Sequence, residues 1–363
     1  MPIRQRFDRL LLAAAVLQMA LGLALLASAS WVVASERYGR PDSYFVTWQA
    51  AAAVVGLGLL VISMHLRTEL LTEPRLARLG VASSWVLLGA AFMMPPVANT
   101  YRWLSIGGIS LQPSVLARFA IVVFAAVELA RAQREGWPTR RLLVLGAVGF
   151  LTAALIVAEP DLGSATLILV VLAGMCFVAG LPLRTLAVPA AIALVTLIVA
   201  VVSSPYRLER VRAFFDPEMA SAAAWQSYQS LLALGSGGLL GLGYGSGLQK
   251  LFFLPEPHTD FIFSIAGEEL GLVGVLALIG LAGVIVWRGL SIALRHPRPS
   301  GSLLAFGLAF AFAAQSLVHM VVCLDLLPPK GIPLPLVSYG KTDLLVTLVS
   351  VGVLLNLSRE VPR

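Results

Sequence analysis

"FLPEPHTDFIFSIAGEELG", residues 253–271, sets His258, Asp260, Glu268 and Glu269 at the mouth of an apolar run that continues without another charge to Trp287. At 1.5 Å per residue, a helix over 261–287 is about 40 Å long, enough to cross a hydrocarbon layer of about 30 Å. This stretch therefore reads as a membrane span whose first turns carry acids. Charged groups in such a place are costly and are normally paired or functional.

The rest of the chain repeats the pattern. Hydrophobic residues make up 58% and charged residues 12%, against about 25% charged in an ordinary soluble domain. Mean hydropathy is +0.88. Spans are expected near 10–34, 48–65, 79–97, 111–130, 142–158, 162–181, 184–203, 261–287, 302–323 and 343–357. The fold class is an all-α polytopic membrane protein, one transmembrane domain over 1–363 with about ten helices. Basic residues Arg4, Arg6 and Arg9 precede a run ending in "LASAS", which imitates a leader cleavage site. The run is longer than a leader's apolar core of about 7–15 residues, so it is expected to stay as the first helix.

Orientation follows from the basic loops. With the N-terminus in the cytoplasm, that side receives Arg67, Arg75, Arg78, Arg131, Arg134, Arg140, Arg141, Arg184, Arg288, Arg295, Arg298, Arg359 and Arg363. The short outer loops hold little beyond Arg37, Arg40, Arg102, Lys330 and Lys341. This positive-inside bias places both termini in the cytoplasm. The net charge of +7 then reflects topology and attraction to anionic membrane lipids. It is no sign of nucleic-acid binding, because no basic cluster sits on a foldable soluble domain, and no nucleic-acid partner is expected. Cys176 and Cys323 lie in apolar runs and read as small buried hydrophobes, and no His/Cys/Asp spacing suggests a metal site.

Two connections break the pattern of short loops, both on the outer face in this topology. Residues 204–258 form a large extracytoplasmic loop, and loops of that length are usually functional. Residues 325–342 are Pro-rich and unsuited to a helix. Inside the first, "GSGGLLGLGYGSGLQK" lacks the lysine-serine/threonine ending and the preceding strand of a nucleotide loop. Its glycines suggest backbone that approaches something closely, or a segment re-entering the membrane interface.

Each charged position has a plain reading beside the functional one. Asp260, in the first turn of the eighth span, either caps that helix or acts chemically; Thr259 could cap instead. Asp260, Ser264, Gly267, Gly271 and Gly274 would form one helical stripe, a carboxylate above small residues that leave room for a neighbouring helix or a lipid chain. Glu268, about 80° round from Asp260 and about 12 Å deeper, and Glu269, nearly opposite Asp260 on the helix, are expected in structural pairs. Arg118 lies a turn inside the fourth span and needs a carboxylate; Asp161 in "EPDLGSA" is expected to supply it, with snorkelling of Arg118 and capping by Asp161 as the plain readings. Arg102, between Tyr101 and Trp103, is either an aromatic-belt anchor or a phosphate contact.

"EPDLGSA", "WQSYQSLLALGSGGLLGLGYGSGLQKLFFLPEPHTDFIFSIAGEELG" and "LPPKGIPLPLVSYG" resemble, in order from about residue 95 to 345, the signatures of the SEDS family, the FtsW/RodA lipid II polymerases. "QKLFFLPE" and "PKGIPLPLVSYG" lean toward the division type rather than the elongation type. The resemblance implies a ten-helix peptidoglycan glycosyltransferase of the bacterial cytoplasmic (inner) membrane, acting on lipid II with a class B penicillin-binding protein and the division or elongation machinery. It makes Asp260 the essential catalytic carboxylate, expected to act as general base on the attacking sugar hydroxyl. It adds Gln226, Glu256, His258, Ser338 and Tyr339 to the substrate-binding candidates Arg102, Arg118, Asp161, Arg210, Arg212 and Lys250. Of these, Arg102, Arg210, Arg212 and Lys250 are the outer cations for a leaving pyrophosphate, which a divalent cation could supplement. Departures are Val115 for the acid and Arg118 for the lysine of Q-P-S-E-x-x-K, Trp225 for tyrosine, His319 for asparagine, Asp325 for glycine, and Lys341-Thr342-Asp343 after Ser338-Tyr339-Gly340. Lys341 and Asp343 are expected to neutralise each other. A lipid flippase or small-solute transporter is the rival reading, and a non-enzymatic scaffold the third.

Overall fold

The computed structural model describes residues 7–96, 100–107, 109–216 and 221–362. Arg4, Arg6, Val97 and Arg363, which the sequence reading uses, lie outside them.

Each expected span coincides with a helix. The first five spans are α1 (Arg9–Val32), α2 (Tyr44–His65), α4 (Pro74–Ala91), α5 (Pro113–Arg134) and α6 (Thr139–Ala158), with the single turn α3 (Thr68–Leu71) between α2 and α4. The next two are α7 (Leu162–Val178) and α8 (Leu183–Val202). The last three are α11 (Ile262–Arg295), α12 (Pro299–Cys323) and α13 (Lys341–Ser358). Among the described residues eight helices are long and apolar enough to cross a membrane. The other two are α4, with Arg75 and Arg78 in its first turns, and α7, with only 17 residues. The N-terminal start of α1 meets the end of α13, where the Asp8 amide donates to Ser358 Oγ at 3.1 Å. Around them lie the ion pairs Asp8–Arg288 at 2.5 Å and Glu69–Arg298 at 3.2 Å.

The connection at 204–258 is not an open loop. It folds into α9 (Pro205–Phe215) and α10 (Ala222–Ser236), and then into a series of turns. Ser221 caps α10 by accepting the Ala224 amide at 3.2 Å. Ala223, Ser227, Ser230 and Ala233 recur at helical spacing and are buried, so α10 turns one stripe toward α11. There Ser230 Oγ donates to the Cys323 carbonyl at 2.7 Å and lies 2.7 Å from Ser264 Oγ.

The glycines after α10 explain why α11 can be interrupted. Gly271 sits at φ 64°, ψ −163° and breaks the helix. The backbone groups freed there bond to the glycine run: the Leu242 and Gly243 amides donate to the Glu268 and Glu269 carbonyls at 2.9 and 3.1 Å. In return, the Leu272 and Val273 amides donate to the Gly238 and Leu239 carbonyls at 3.0 and 3.2 Å. A Cβ at Gly241 would stand 2.1 Å from the Glu269 carbonyl oxygen. Close approach, one of the two readings of this run, is what the geometry shows, and the broken helix is satisfied as non-helical backbone at membrane depth must be.

The proposed stripe is corrected accordingly. Asp260 precedes the helix, Gly267 is covered by Leu234, and Gly271 by Leu239 and Gly241. The small residues admit the chain's own segments, and the helical spacing fails at Gly271.

Two short elements complete the same end of the bundle. β1 (Leu104–Ile106) and β2 (Ile109–Leu111) form an antiparallel hairpin with Leu104 opposite Leu111. Residues 325–340 run without a helix as a strap whose Leu334 amide donates to Ser338 Oγ at 2.8 Å.

Candidate functional site

Asp260 closes a turn, its amide donating to the Glu256 carbonyl at 3.1 Å, and the Cys323 thiol at the end of α12 reaches its carbonyl at 3.7 Å. Phe261 occupies the N-cap position of α11 and no side chain caps it. Neither Asp260 nor Thr259 is thus the cap, and the plain reading of Asp260 falls. The carboxyl group lies against the strap: a Cβ at Gly331 would stand 3.1 Å from Asp260 Oδ2. Among the described residues Asp260 enters no ion pair, and it is half-buried.

Burial, then the charge of Glu256, push the Asp260 carboxyl up to about 7, while the Thr259 hydrogen bond, Arg210 and Arg102 pull the other way. Desolvation disfavours the ionised form of an acid, and a like charge adds to it. The result is an acid poised near neutrality. Strained backbone clusters on both sides of it: Phe252 and Glu256 before the turn, and Asp325 and Leu336 in the strap, hold positive φ without being glycine. Such conformations persist only where the surroundings impose them.

Cations gather around this acid, though not all of those expected. Arg210 on α9 donates to the Pro329 carbonyl at 2.8 Å and stacks over Tyr206 at 4.8 Å. Arg102 donates to the Pro160 carbonyl, and its Nε lies 3.9 Å from Asp161 Oδ2. Arg207 lies near Arg102, and Lys330 near Asp161; burial lowers the pKa of both. Among the described residues Arg207, Arg210 and Lys330 enter no ion pair. Arg207 and Lys330 were not among the sequence candidates, although Lys330 sits within the quoted "PPKGIP". Arg212 is exposed, two residues on from Arg210 and so on another side of α9.

Glu159 was also missed. It is fully buried at the end of α6, neither carboxylate oxygen has a hydrogen-bond partner among the described residues, and burial followed by the Asp161 charge raises it to about 8.

Other expectations are corrected. Arg118 does not pair with Asp161; it binds Asp343 at 2.9 Å. Asp161 spends both oxygens on Ser164, accepting its amide at 3.0 Å and its hydroxyl at 2.7 Å, and so caps α7. Lys341 therefore does not neutralise Asp343; it lies 5.1 Å from the Trp48 ring centre. Lys250 is no outer cation. It is buried against Glu269 Oε1 at 2.6 Å, where Ser28 also donates at 2.6 Å. Glu269 thus has the structural pairing expected of it. Glu268 has no cation within ion-pair distance among the described residues, and instead accepts the Leu248 and Gln249 amides at 2.7 and 3.1 Å.

The remaining candidates are His258, Tyr339, Ser338, Glu256 and Gln226. The His258 ring is buried 4.6 Å from that of Phe45, and burial lowers its pKa to about 4, so it is a neutral ring. Its carbonyl accepts the Tyr339 amide at 3.0 Å, and the Tyr339 ring meets Phe45 at 5.0 Å. Burial raises the Tyr339 phenol to about 12. Ser338 is consumed by the strap's own turn. Glu256 meets Arg37 at 2.8 Å in an exposed pair. Gln226 is half-buried on α10, whose Trp225 indole donates to the Phe253 carbonyl at 2.9 Å. Among the described residues no group of three or more His, Cys, Asp or Glu side chains could hold a metal ion.

The chain resembles known proteins along nearly its whole length. Residues 8–362 match the FtsW/RodA/SpoVE cell cycle protein family. A probable peptidoglycan glycosyltransferase FtsW of Trichlorobacter lovleyi is 35% identical over 362 residues, covering 97% of this chain and 93% of the relative. A chain from a peptidoglycan synthase complex that coordinates polymerization and crosslinking superposes with a TM-score of 0.78 at 28% identity, covering 97% of this chain and 98% of the other. Thermus thermophilus RodA, the rod shape determining protein, superposes with a TM-score of 0.71 at 29% identity over 98% of both chains.

Proposed function

The chain belongs to the FtsW/RodA/SpoVE family, and from that premise we propose that it is a peptidoglycan glycosyltransferase that polymerises lipid II at the outer face of the bacterial inner membrane during cell division, with Asp260 as general base. The observation that carries this reading is the state of Asp260: half-buried, outside any ion pair among the described residues, and held near neutrality by burial and Glu256. A base locked in an ion pair could not take a proton, and one fully in water would be too weak.

Lipid II presents a disaccharide on a polyprenyl pyrophosphate. Chain growth needs a sugar 4-hydroxyl to attack the anomeric carbon of a second molecule. Asp260 accepts the hydroxyl proton as the new bond forms, a contribution of about 10²–10⁴-fold in rate. The bond from that carbon to the lipid pyrophosphate breaks, and the departing phosphate keeps the electron pair. Arg102 and Arg210, which already pull on Asp260, and the neighbouring Arg207 and Lys330 offer positive charge to that leaving group. A single displacement at an α-linked phosphate inverts the centre, giving a β-1,4 linkage without a second carboxylate.

The division-type assignment rests on "QKLFFLPE" and "PKGIPLPLVSYG" and on the FtsW names of the sequence relatives. A class B penicillin-binding protein is the proposed partner, given the synthase complex among the structural relatives. An elongation-type RodA protein with the same chemistry is the alternative, favoured by the likeness to RodA.

The test incubates purified protein and its penicillin-binding partner with labelled lipid II and reads polymer on a gel. Polymer from the parent and none from Asp260→Ala is the expected result. Equal polymer from both removes Asp260 as the base, and transbilayer movement of lipid II without polymer favours a flippase.

A further inference from the structure

Arg118 has one anionic partner among the described residues, and it comes from another helix. Asp343, in the first turn of α13, meets Arg118 of α5 at 2.9 Å, with both side chains nearly excluded from solvent. A third helix joins them: Gln315 of α12 donates through Nε2 to Asp343 Oδ1 at 3.0 Å and to the Pro333 carbonyl at 2.8 Å. One turn along α12, His319 Nδ1 lies 2.8 Å from the Ile332 carbonyl. The next strap residue is Gly331, which lies against the Asp260 carboxyl group. A continuous set of contacts thus runs from a buried ion pair, through one glutamine, to the backbone that walls in Asp260.

The sequence adds a second observation. The position one turn before Arg118 on the same face of α5 is the apolar Val115, 5% exposed, and α5 carries no acid before Glu128. The acid that α5 does not place beside Arg118 comes from across the interface, at Asp343. We propose that Asp343 is a positioning residue: it supplies from α13 the counter-charge that α5 lacks, and through Gln315 it holds the 331–333 strap against Asp260. This rests on the reading of Asp260 as the base.

The consequence is legible in a pH profile. Burial is the main cause of the raised Asp260 pKa, and the groups facing it are Glu256 from its own turn, Arg210 from α9, Arg102 from the approach to β1, and Cys323 from the end of α12. Asp343 is not among them. If the strap loosens, water reaches Asp260 and its pKa falls toward the ordinary carboxylate range. The base is then ionised at lower pH, so the acid limb of the rate profile moves to lower pH. The rate on the plateau falls on the order of 10–100-fold as the base loses its alignment.

The experiment measures lipid II polymerisation against pH for the parent, Asp343→Asn and Val115→Glu/Asp343→Asn, each checked for folding by size-exclusion. The expected result is a limb displaced to lower pH with a reduced plateau in Asp343→Asn, and return of both toward the parent in the double variant, where the acid sits one turn from Arg118. An unmoved limb in Asp343→Asn, or a double variant no better than the single, overturns the proposal. If Asp343→Asn yields no folded protein, the double variant decides: parental behaviour supports the counter-charge role and inactivity overturns it. Asp260→Ala in the same assay separates the two layers, since full activity there defeats the general-base reading itself.

Discussion

Asp260 and Glu269 lie nine residues apart in the stretch that opens the eighth span, and the protein treats them in opposite ways. Glu269 is fully buried and met by Lys250, Ser28 and the Gly245 amide. Asp260 is half-buried, faces cations that are tied to carbonyl groups rather than to it, and stays near neutrality. An acid paired inside the bundle fastens α11, α1 and the glycine run together; the acid at the rim enters no ion pair among the described residues, as the proposed function requires of a base. Titratable residues in an apolar segment are therefore told apart by their partners, more than by depth or spacing.

The most severe way to break this contrast is to neutralise each acid in turn. Asp260→Asn should leave the protein folded and lower polymerisation by about 10²–10⁴-fold. Glu269→Gln should do the reverse in kind: it leaves the Lys250 ammonium buried without an anion, at a cost of about 3–5 kcal/mol. Thermal unfolding in detergent, beside the polymer assay, checks both. An Asp260→Asn variant that melts far below the parent, or a Glu269→Gln variant that melts with it, would erase the distinction.

A smaller effect is expected from the glycine run that supports Glu269. Gly241→Ala places a Cβ 2.1 Å from the Glu269 carbonyl oxygen, at φ 82°, where strain alone is worth about 1–3 kcal/mol. Gly280→Ala, at an exposed position of α11, meets nothing within 4 Å, and should be neutral or slightly stabilising because alanine favours a helix. Comparing their melting temperatures isolates the close approach from glycine content.

This glycine run also marks how far the sequence could be read. The ten apolar runs each fall on a helix because hydropathy over a span's length is a property of the local sequence. Close approach of the glycine run was legible for the same reason, since glycines crowd where backbone must touch backbone. The break at Gly271 was not, because nothing in an apolar run tells a packed helical glycine from one at positive φ. Nor was Arg118–Asp343 foreseen: a buried guanidinium demands a carboxylate, but the demand does not name which helix answers it. The sequence places Lys250 at the outer surface because it lies within the long 204–258 connection, and that connection turns back into the bundle to bury it against Glu269. The sequence draws attention to Asp260 through a helical stripe that does not exist, so its half-buried state and its neighbours came from the structure alone.

The smallest effects sharpen the Asp260 half of the comparison, because they test whether its neighbours act on it electrostatically. Glu256 raises the Asp260 pKa and Arg210 lowers it. A base works ionised, so polymerisation should rise with pH through about 7, the value burial and Glu256 give this group. Glu256→Gln removes a like charge, eases ionisation and should move that limb to lower pH. The exposed Arg37–Glu256 pair adds little stability, about 0–1 kcal/mol, so the variant should fold normally. Arg210→Ala removes an attracting charge and should move the limb to higher pH. It should also weaken apparent substrate binding, since the same guanidinium is offered to the lipid phosphate. Low salt should widen both displacements and high salt narrow them, as screening acts on charges near the surface. Two displacements of the same sign would mean that the limb reports some other group, and the poised acid would then have to be sought elsewhere in the cluster, with Glu159, buried and without a hydrogen-bond partner among the described residues, the first to examine.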